Sequence, residues 1–520
     1  MTFDAAEDAL LRALGEHNPW WEPGGEAFDL PDRAKSDFYH LARPDGPGSQ
    51  FEDQRLLGLV GRRGVGKTTL LKQFIAHRIE DGADPEQFCY VPFGADPLYQ
   101  LQSDEGLRQA IRYYEGRILG RVEDPTPHFV FLDDVHLVEH PSKPKVEGWG
   151  TPVADMLDAA PGRHVVVTAN AGVQIDRELE RVDFPPDAAA TQPILPEKFR
   201  DHCYTLYPEL ERGDTRVSPT PIREGDGSLP DALEAGDPGA LAETLRSQYD
   251  RVSAVERRIQ SQVVHYLAVG GVVGYATDGP VESAAELAPE AYTRLRDDVR
   301  DALYQDVPGF ESVQTIADLE RLCALAARNR GVEPVRYQRL VDLFDVDRRT
   351  ITDSYLPALE QLYLLTGVTE YDNSRPRSVR LYLRDTGLVT ALTDGDARGV
   401  LNDFGREAAL ARVAAFDHTM RFAYGLAAAQ GTDADPEVTF WRGRSGEVDF
   451  VFEVDGTPLP IGLSYRPSGE DAAAAVREFV ETYDTPFGIV LTGDSVGTVR
   501  PITVEDELVR LPYWFYLLLC

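Results

Sequence analysis

Lysine is scarce in this chain of 520 residues, and the scarcity limits what its surface can attract. The chain has 52 basic side chains against 87 acidic ones, which gives a net charge of −35. Arginine supplies nearly all of the positive charge, and the lysines are Lys35, Lys67, Lys72, Lys143, Lys145 and Lys198. A surface of this sign excludes long-range attraction of nucleic acid.

The acidic balance has two interpretations. A lysine-poor, acidic surface is expected of a protein in a high-salt cytosol, where self-repulsion is relieved because the screening length at ~1 M salt is about 3 Å. The alternative is an acidic surface that binds a partner. The acidic residues are spread along the whole chain rather than collected in one tail, which favours the halophilic interpretation.

Cysteine clusters and long apolar runs are also missing. The four cysteines are far apart and form no CxxC or Cys/His pattern, so neither a zinc site nor a disulfide framework is predicted. No apolar run approaches the ~20 residues that a membrane helix needs, and the acidic start, MTFDAAEDALL, does not resemble a signal peptide. We therefore expect a cytoplasmic protein with no membrane segment.

A glycine-rich motif, GRRGVGKT, occupies Gly61–Thr68 directly after the apolar run LLGLV, and the next stretch has apolar residues at helical spacing. Strand, glycine-rich turn and helix are the setting of a Walker A motif, whose backbone N–H groups surround phosphate oxygens at a helix N-terminus. The side chain of Lys67 is expected to reach the β- and γ-phosphates of ATP, and the hydroxyl of Thr68 to bind Mg²⁺. The predicted nucleotide-binding residues are Gly61, Arg62, Gly64, Val65, Gly66, Lys67, Thr68 and Thr69.

Two further apolar runs end in polar residues. HFVFLDD places Asp133 and Asp134 after a predicted buried strand, whose carboxyl end opens onto the ligand crevice of a parallel sheet. Asp133 is expected to hold Mg²⁺, and Asp134 to orient or deprotonate the attacking water. HVVVTAN ends in Asn170, which is expected to touch the γ-phosphate or the water. Taken singly, Asp134 and Asn170 would also suit ordinary turns.

The order of elements predicts the fold class and the domains. Strands and helices alternate from Arg55 to about Leu206, which predicts an α/β P-loop domain with a parallel sheet and helices on both faces. We divide the chain into an N-terminal segment (1–48), the P-loop domain (49–210), an acidic linker or insertion (211–240), a helical region (241–330), a further unit (331–395) and a small α/β domain (400–520).

The unit at 331–395 has the pattern of a winged helix: two helices separated by a short turn, then a hairpin formed by VTEY and VRLYL. Arg348 and Arg349 would begin its recognition helix, and Arg375 and Arg377 would flank the tip of its wing. The unit is nearly neutral within a strongly acidic chain, which favours phosphate contacts and makes DNA a candidate partner. A winged helix used only for protein packing is an equal alternative.

These motifs resemble those of AAA-type prokaryotic ATPases from about Asn18 to the C-terminus. YLAVGG, the winged helix and RLYLRDTGL resemble the C-terminal domain of unknown function of those proteins, and the acidity resembles that of haloarchaeal proteins. The resemblance implies ATP and Mg²⁺ as cofactors, with Lys67, Thr68, Asp133 and Asn170 at Walker and sensor positions. Asp134 stands where a glutamate is commoner, which implies slow hydrolysis. Arg181 matches an arginine that approaches the nucleotide, and it equally suits a cation at a helix end.

RSGEVDFVF, in the last domain, resembles a restriction-endonuclease-like fold, which implies a metal-dependent nuclease site. Glu447 and Asp449 match its first carboxylates, but Gly462-Leu463-Ser464 stands where an acid–x–lysine is needed, and no lysine follows Lys198. We therefore expect an inactive domain.

The leading functional hypothesis is an ATPase whose hydrolysis drives a conformational switch linked to DNA. A regulator that binds ATP with little or no hydrolysis is the alternative, and an ATP-dependent nuclease is disfavoured. A protein partner or self-association stays open.

Overall fold

The structure is a computed structural model. It describes residues 12–22, 25, 28, 55–123, 126–138, 148–210, 216–217, 228–271, 289–311, 313–393, 399–400, 402–429, 436–465, 470–493 and 501–520. Most of the predicted N-terminal segment and much of the predicted linker lie outside these ranges. The chain forms two compact units, the first within Met1–Leu195, Asp298–Ile316 and Gln361–Tyr363, and the second within Pro196–Asp297, Ala317–Glu360 and Leu364–Cys520.

The first unit contains a parallel sheet of five strands in the order β2-β3-β4-β1-β5. The strands are β1 Leu56–Val60, β2 Phe88–Pro92, β3 His128–Asp133, β4 Arg163–Ala169 and β5 Ala189–Pro193. The first three are buried at every position, as continuous apolar runs in a covered parallel sheet should be. The predicted α/β P-loop fold with a parallel sheet is therefore confirmed.

Helices follow the strands of this sheet: α1 Lys67–Glu80, α2 Asp104–Tyr113, α3 Gly150–Ala159 and α4 Val173–Arg181. Gly66 caps α1 with φ of 97°, a left-handed conformation that glycine adopts without a Cβ penalty. The adjacent tryptophans of the N-terminal segment pack on this unit, since the indole nitrogens of Trp20 and Trp21 both donate to the carbonyl of Phe88. Trp20 and Trp21 therefore connect the N-terminal segment to the edge strand β2.

The remaining described helices follow in chain order after β5. They are α5 Phe199–Leu206, α6 Leu229–Glu234, α7 Pro238–Val252, α8 Glu256–Val269, α9 Pro289–Asp301, α10 Ile316–Asn329, α11 Tyr337–Phe344, α12 Arg348–Thr350, α13 Leu356–Gln361, α14 Thr386–Leu392, α15 Phe404–Ala429, α16 Glu470–Tyr483 and α17 Tyr513–Leu519. Between α9 and α10 the chain forms a π-helical turn, Ala302–Asp306, and a short helix, Val307–Phe310. None of the helices in the described ranges is both long enough and apolar enough to cross a bilayer.

A small antiparallel sheet accompanies helices α11 to α13. Its strands are β6 Val335–Arg336, β7 Leu365–Val368 and β8 Ser378–Leu383, in the order β6-β8-β7. The hairpin was predicted to begin with VTEY, and that boundary is wrong, because β7 ends at Val368. The apolar residues just before VTEY also suit the end of a helix, which is why periodicity alone misplaces the strand.

The last part of the chain forms a mixed sheet of six strands in the order β13-β14-β12-β11-β10-β9. The strands are β9 Thr439–Arg442, β10 Glu447–Val454, β11 Thr457–Ser464, β12 Gly488–Thr492, β13 Thr503–Glu505 and β14 Leu508–Pro512. Asp455 and Gly456 join β10 to β11 with positive φ at both residues, the conformation that an Asp-Gly hairpin turn requires. All seven residues of helix α17 are buried.

Candidate nucleotide site

The ammonium group of Lys67 lies at the start of α1 and points back over the glycine-rich turn. Its Nζ donates to the carbonyl oxygens of Gly61 and Arg62, at 2.6 and 3.2 Å, and to Oδ1 of Asn170 at 2.9 Å. The side chain is buried, and burial lowers the pKa of Lys67 to about 8. The Lys67 ammonium, which is expected to bind the phosphates, therefore lies between the glycine-rich turn and the end of β4.

The carboxylate of Asp133, at the end of β3, is surrounded by hydroxyl groups. Oδ2 accepts from Thr68 Oγ1 at 2.7 Å and from the Tyr90 hydroxyl at 2.8 Å, and Oδ1 accepts from Thr168 Oγ1 at 2.6 Å. Tyr90 was not singled out by the sequence, where it appears only as part of an apolar strand. Burial raises the pKa of Tyr90, and the Asp133 carboxylate raises it further, so the phenol stays a donor.

The pair formed by Thr68 and Asp133 fits the protein share of a Mg²⁺ site. Magnesium in phosphate-transfer sites usually takes one or two carboxylates from the protein and completes its shell with phosphate oxygens and water. In the described ranges, no group of three His, Cys, Asp or Glu side chains is arranged to hold a metal by itself. The Thr68 hydroxyl and the Asp133 carboxylate, already in contact, are the residues that would hold the ion together with a nucleotide.

Asp134 follows β3 in a left-handed backbone conformation, with φ of 57°. Its N–H donates to Thr168 Oγ1 at 2.8 Å, so one hydroxyl connects the backbone of Asp134 with the side chain of Asp133. Burial raises the pKa of Asp134 to about 6, and the neighbouring Asp133 carboxylate adds to the rise. A carboxylate with this pKa is a stronger base than an ordinary aspartate and is still mostly ionised at pH 7.

The amide of Asn170, just beyond β4, connects the Lys67 ammonium with two further groups. Its Nδ2 donates to Oδ2 of Asp306 at 3.1 Å and lies 3.3 Å from Nε2 of His136. Burial lowers the pKa of His136 to about 4, so this imidazole is neutral at pH 7. Asn170 therefore links the Lys67 ammonium to the carboxylate of Asp306, which is distant in the sequence.

Arg63 and Asp306 form an ion pair beside the glycine-rich turn. Arg63 Nε donates to Asp306 Oδ2 at 3.0 Å, and Nη2 donates to Oδ1 at 2.7 Å. Asp306 ends the turn Ala302–Asp306 and is 3% exposed. Neither residue was predicted to belong to the site. No local signal marks Asp306, since it stands some 240 residues from Arg63 in the sequence.

The other predicted residues are less closely engaged. Arg62 is buried with Nη1 directed at the carbonyl of Arg63, Val65 packs on the core, and Thr69 lies on the first turn of α1. Arg181 ends α4 and donates to Glu178 at 2.8 Å and to Thr151 at 3.2 Å. These contacts are those of a cation at a helix end and do not join Arg181 to Lys67 or Asp133.

The two carboxylates predicted from the nuclease-like resemblance are engaged by arginines in the second unit. Asp449 forms an ion pair with Arg412 through Oδ1 and accepts from the N–H of Leu463 through Oδ2, at 2.7 Å. Glu447 forms ion pairs with Arg380 through Oε1 and with Arg442 through Oε2. Every oxygen of the pair is therefore occupied by a protein donor.

Two family models match parts of the chain. Residues 53–183 match the family described as AAA domain, and residues 264–399 match a domain of unknown function, DUF8612. No curated protein matches the chain.

Among solved structures, the chain is similar to the Walker-type ATPase PABY2304 of Pyrococcus abyssi, with 12% identity and a TM-score of 0.36 over 72% of this chain and 99% of that one. It is also similar to the Aeropyrum pernix ORC1 protein in complex with DNA, with 15% identity and a TM-score of 0.25 over 77% and 95% of the two chains. It is similar as well to the A. pernix ORC2 protein, with 16% identity and a TM-score of 0.23 over 79% of this chain and 94% of that one. Residues 53–183 are thus similar to an AAA domain, and the parallel sheet with its glycine-rich turn has the fold of a P-loop NTPase domain.

Proposed function

We propose that this protein binds ATP at the glycine-rich turn and hydrolyses it with Mg²⁺. The observation that carries the proposal is that two sets of hydrogen bonds begin at neighbouring residues of α1: the Lys67 ammonium binds the Asn170 amide, and the Thr68 hydroxyl binds the Asp133 carboxylate. Parallel strands bring these residues to one edge of the sheet from three separate motifs, which is the arrangement that phosphate-transfer sites of this class use.

Each side chain has a distinct task in the proposed reaction. Lys67 exchanges the carbonyl oxygens of its own turn for phosphate oxygens, while the N–H groups at the start of α1 face the same anion. Thr68 and Asp133 would hold Mg²⁺, which would supply positive charge to neutralise the phosphates. Asn170 keeps the Lys67 ammonium in place and orients the reacting groups at the end of β4.

Asp134 is the proposed base. Its carboxylate orients the attacking water and accepts a proton from it, and the raised pKa makes it a better acceptor than an unperturbed aspartate. Its side chain is one methylene shorter than the glutamate commoner at this position, so we propose slow turnover. A slow enzyme suits a switch in which the bound nucleotide sets the conformation between rare hydrolysis events.

Turnover by the full-length chain in molar KCl tests this function. Asp134→Asn should keep ATP affinity and lose turnover at least about 100-fold, which is the usual scale for a general base. Unchanged turnover in Asp134→Asn would remove Asp134 from the mechanism. Wild type that binds ATP but shows no turnover, with or without DNA, would establish the regulator instead of the ATPase.

We extend the proposal to DNA through the segment Val335–Leu383. Arg349, Arg375 and Arg377 are exposed there, and Arg348 stacks on Tyr337 and donates to the carbonyl of Pro376. Asp347 caps the helical segment that follows, as the N–H of Thr350 donates to its side chain. A capped helix and a strand connection that both carry arginines support phosphate contacts by a winged helix.

A further inference from the structure

The nucleotide site contains a carboxylate that the proposed ATPase chemistry does not use. Asp306 accepts two hydrogen bonds from Arg63 and one from Asn170. Arg63 belongs to the glycine-rich turn, and Asn170 also holds the Lys67 ammonium. The two groups that pair with Asp306 are therefore a cation and an amide donor next to the ammonium that is proposed to bind the terminal phosphate of ATP.

Three carboxylates lie close to this position. Asp133, Asp134 and Asp306 all act on the Lys67 ammonium, and each of them raises the pKa of Lys67 against the larger effect of burial. A terminal phosphate bound by Lys67 would meet all three carboxylates. Mg²⁺ can offset Asp133, and Asp134 is needed beside the water, whereas Asp306 has no partner in the reaction other than the donors that the phosphate itself requires.

From these contacts we infer that Asp306 is an internal competitor of the terminal phosphate of ATP. Its carboxylate binds Arg63 and Asn170, and ATP must displace it so that both side chains turn to the γ-phosphate. This inference rests on the proposed function and deepens it, because it names what regulates occupancy of the site. ADP, which lacks the γ-phosphate, leaves the contact between Arg63 and Asp306 in place.

The exchange has a structural consequence within the first unit. Arg63 holds Asp306 at one end of the segment Asp306–Phe310, and the guanidinium of Arg177 donates to the carbonyl of Phe310 at 3.0 Å at the other end. ATP would release the first contact and leave the second. Bound ATP would therefore leave the Asp306 end of this segment unattached and the Phe310 end held by Arg177. The same contact that lowers ATP affinity would make the conformation of the segment depend on the γ-phosphate.

The test compares two nucleotides on three full-length chains in molar KCl, using calorimetry with Mg²⁺ and either ADP or a non-hydrolysable ATP analogue. Asp306→Asn removes the charge and keeps the shape. It should raise affinity for the ATP analogue about tenfold, because like charges within a few ångströms repel strongly in a buried site, and should change ADP affinity less than about threefold. Asp301→Asn is the matched control. Asp301 stands one turn earlier and accepts from Gln305 rather than Arg63.

The decisive quantity is the ratio of ATP-analogue affinity to ADP affinity. A rise in that ratio for Asp306→Asn, with no rise for Asp301→Asn, supports the competitor. Equal changes for both nucleotides, or for both variants, would overturn it and leave ATP binding by Lys67 intact. If Asp306→Asn fails to fold, Asp306→Ser removes the same charge and keeps an oxygen that can accept from Arg63. If neither wild type nor these variants bind any nucleotide, the proposed function fails as well.

Discussion

Two pairs of carboxylates at strand positions look alike in the sequence and differ in what surrounds them. Asp133 in the first unit accepts from the hydroxyls of Thr68, Tyr90 and Thr168, and no lysine or arginine in the described ranges forms an ion pair with it. Asp449 in the second unit pairs with Arg412 and accepts from a backbone N–H. The first carboxylate has hydroxyl partners and no ion-pair partner in the described ranges, whereas the second is neutralised by an arginine.

The difference shows why a motif alone does not make a metal site. When one partner of a buried ion pair is removed, the other charge stays unpaired in surroundings that solvate it poorly. Moving Asp449 from Arg412 to a metal would therefore cost a large free energy. Hydroxyl groups impose no such cost, because they rotate and can donate elsewhere when a cation arrives. Five predictions test or extend this contrast, from the largest expected effect to the smallest.

The largest effect is expected at the ammonium group that makes the first unit a phosphate site. Lys67→Ala should lower ATP affinity at least about 100-fold, since a charge-assisted contact to a doubly charged group is lost in a buried position. Lys72→Ala is the matched control, because Lys72 lies on the same helix with its ammonium over the ring of Phe28. Calorimetry in molar KCl measures both. Equal affinities of Lys67→Ala and wild type would remove the glycine-rich turn as the ATP site.

The second-largest effect is expected in the stability of variants at the two carboxylates, Asp449 and Asp133. Asp449→Asn should lower the free energy of unfolding by about 3 kcal/mol, because Arg412 keeps its charge without its partner. Asp133→Asn should change it by less than about 1 kcal/mol, because an amide can keep the hydroxyl contacts. Denaturant titration at one salt concentration compares the two. Similar losses in both variants would mean that the surroundings of the two carboxylates are equivalent after all.

The same ion pairs predict that the C-terminal sheet does not cleave DNA with Mg²⁺ or Mn²⁺. Gly462, Leu463 and Ser464 supply no lysine or acid, and the carboxylates of Glu447 and Asp449 are engaged by arginines. Incubation of the full-length chain with plasmid and either metal should leave the DNA intact. Cleavage that disappears in Asp449→Ala would show instead that a metal can displace Arg412.

A smaller effect is expected in the pH dependence of turnover. The base form of Asp134 is the ionised one, and its pKa is raised to about 6, so kcat/KM should fall about tenfold per pH unit below 6 and level off above 7. ATP itself titrates near this range. The informative comparison is therefore with the residual rate of Asp134→Asn, which should keep only the titration of the substrate. Superimposable profiles would contradict the role of Asp134 as the base.

The contrast also shows what sequence could and could not predict. Apolar runs predicted β1, β3 and β4, and parallel strands carry their carboxyl ends to one edge, so the meeting of Lys67 with Asn170 and of Thr68 with Asp133 follows from local patterns. The contacts of Asp306 and Asp449 did not follow, because each depends on an arginine brought near by tertiary packing. The sequence around a charged residue does not indicate which partner tertiary packing will bring next to it.

The smallest effect is expected for the exposed arginines of the segment Val335–Leu383. Each arginine that contacts a DNA phosphate should contribute about one unit to the slope of log affinity against log salt. Changing Arg348, Arg349, Arg375 and Arg377 to serine should therefore flatten the slope measured by a salt titration of DNA binding. Arg348 should contribute least, because its guanidinium is already engaged by Tyr337 and by the Pro376 carbonyl. These arginines differ from Arg412, which pairs with Asp449, because within the described part of the chain no ion pair joins any of the four to a carboxylate. Identical curves for variant and wild type, or no binding at any salt, would make this segment a protein-packing module.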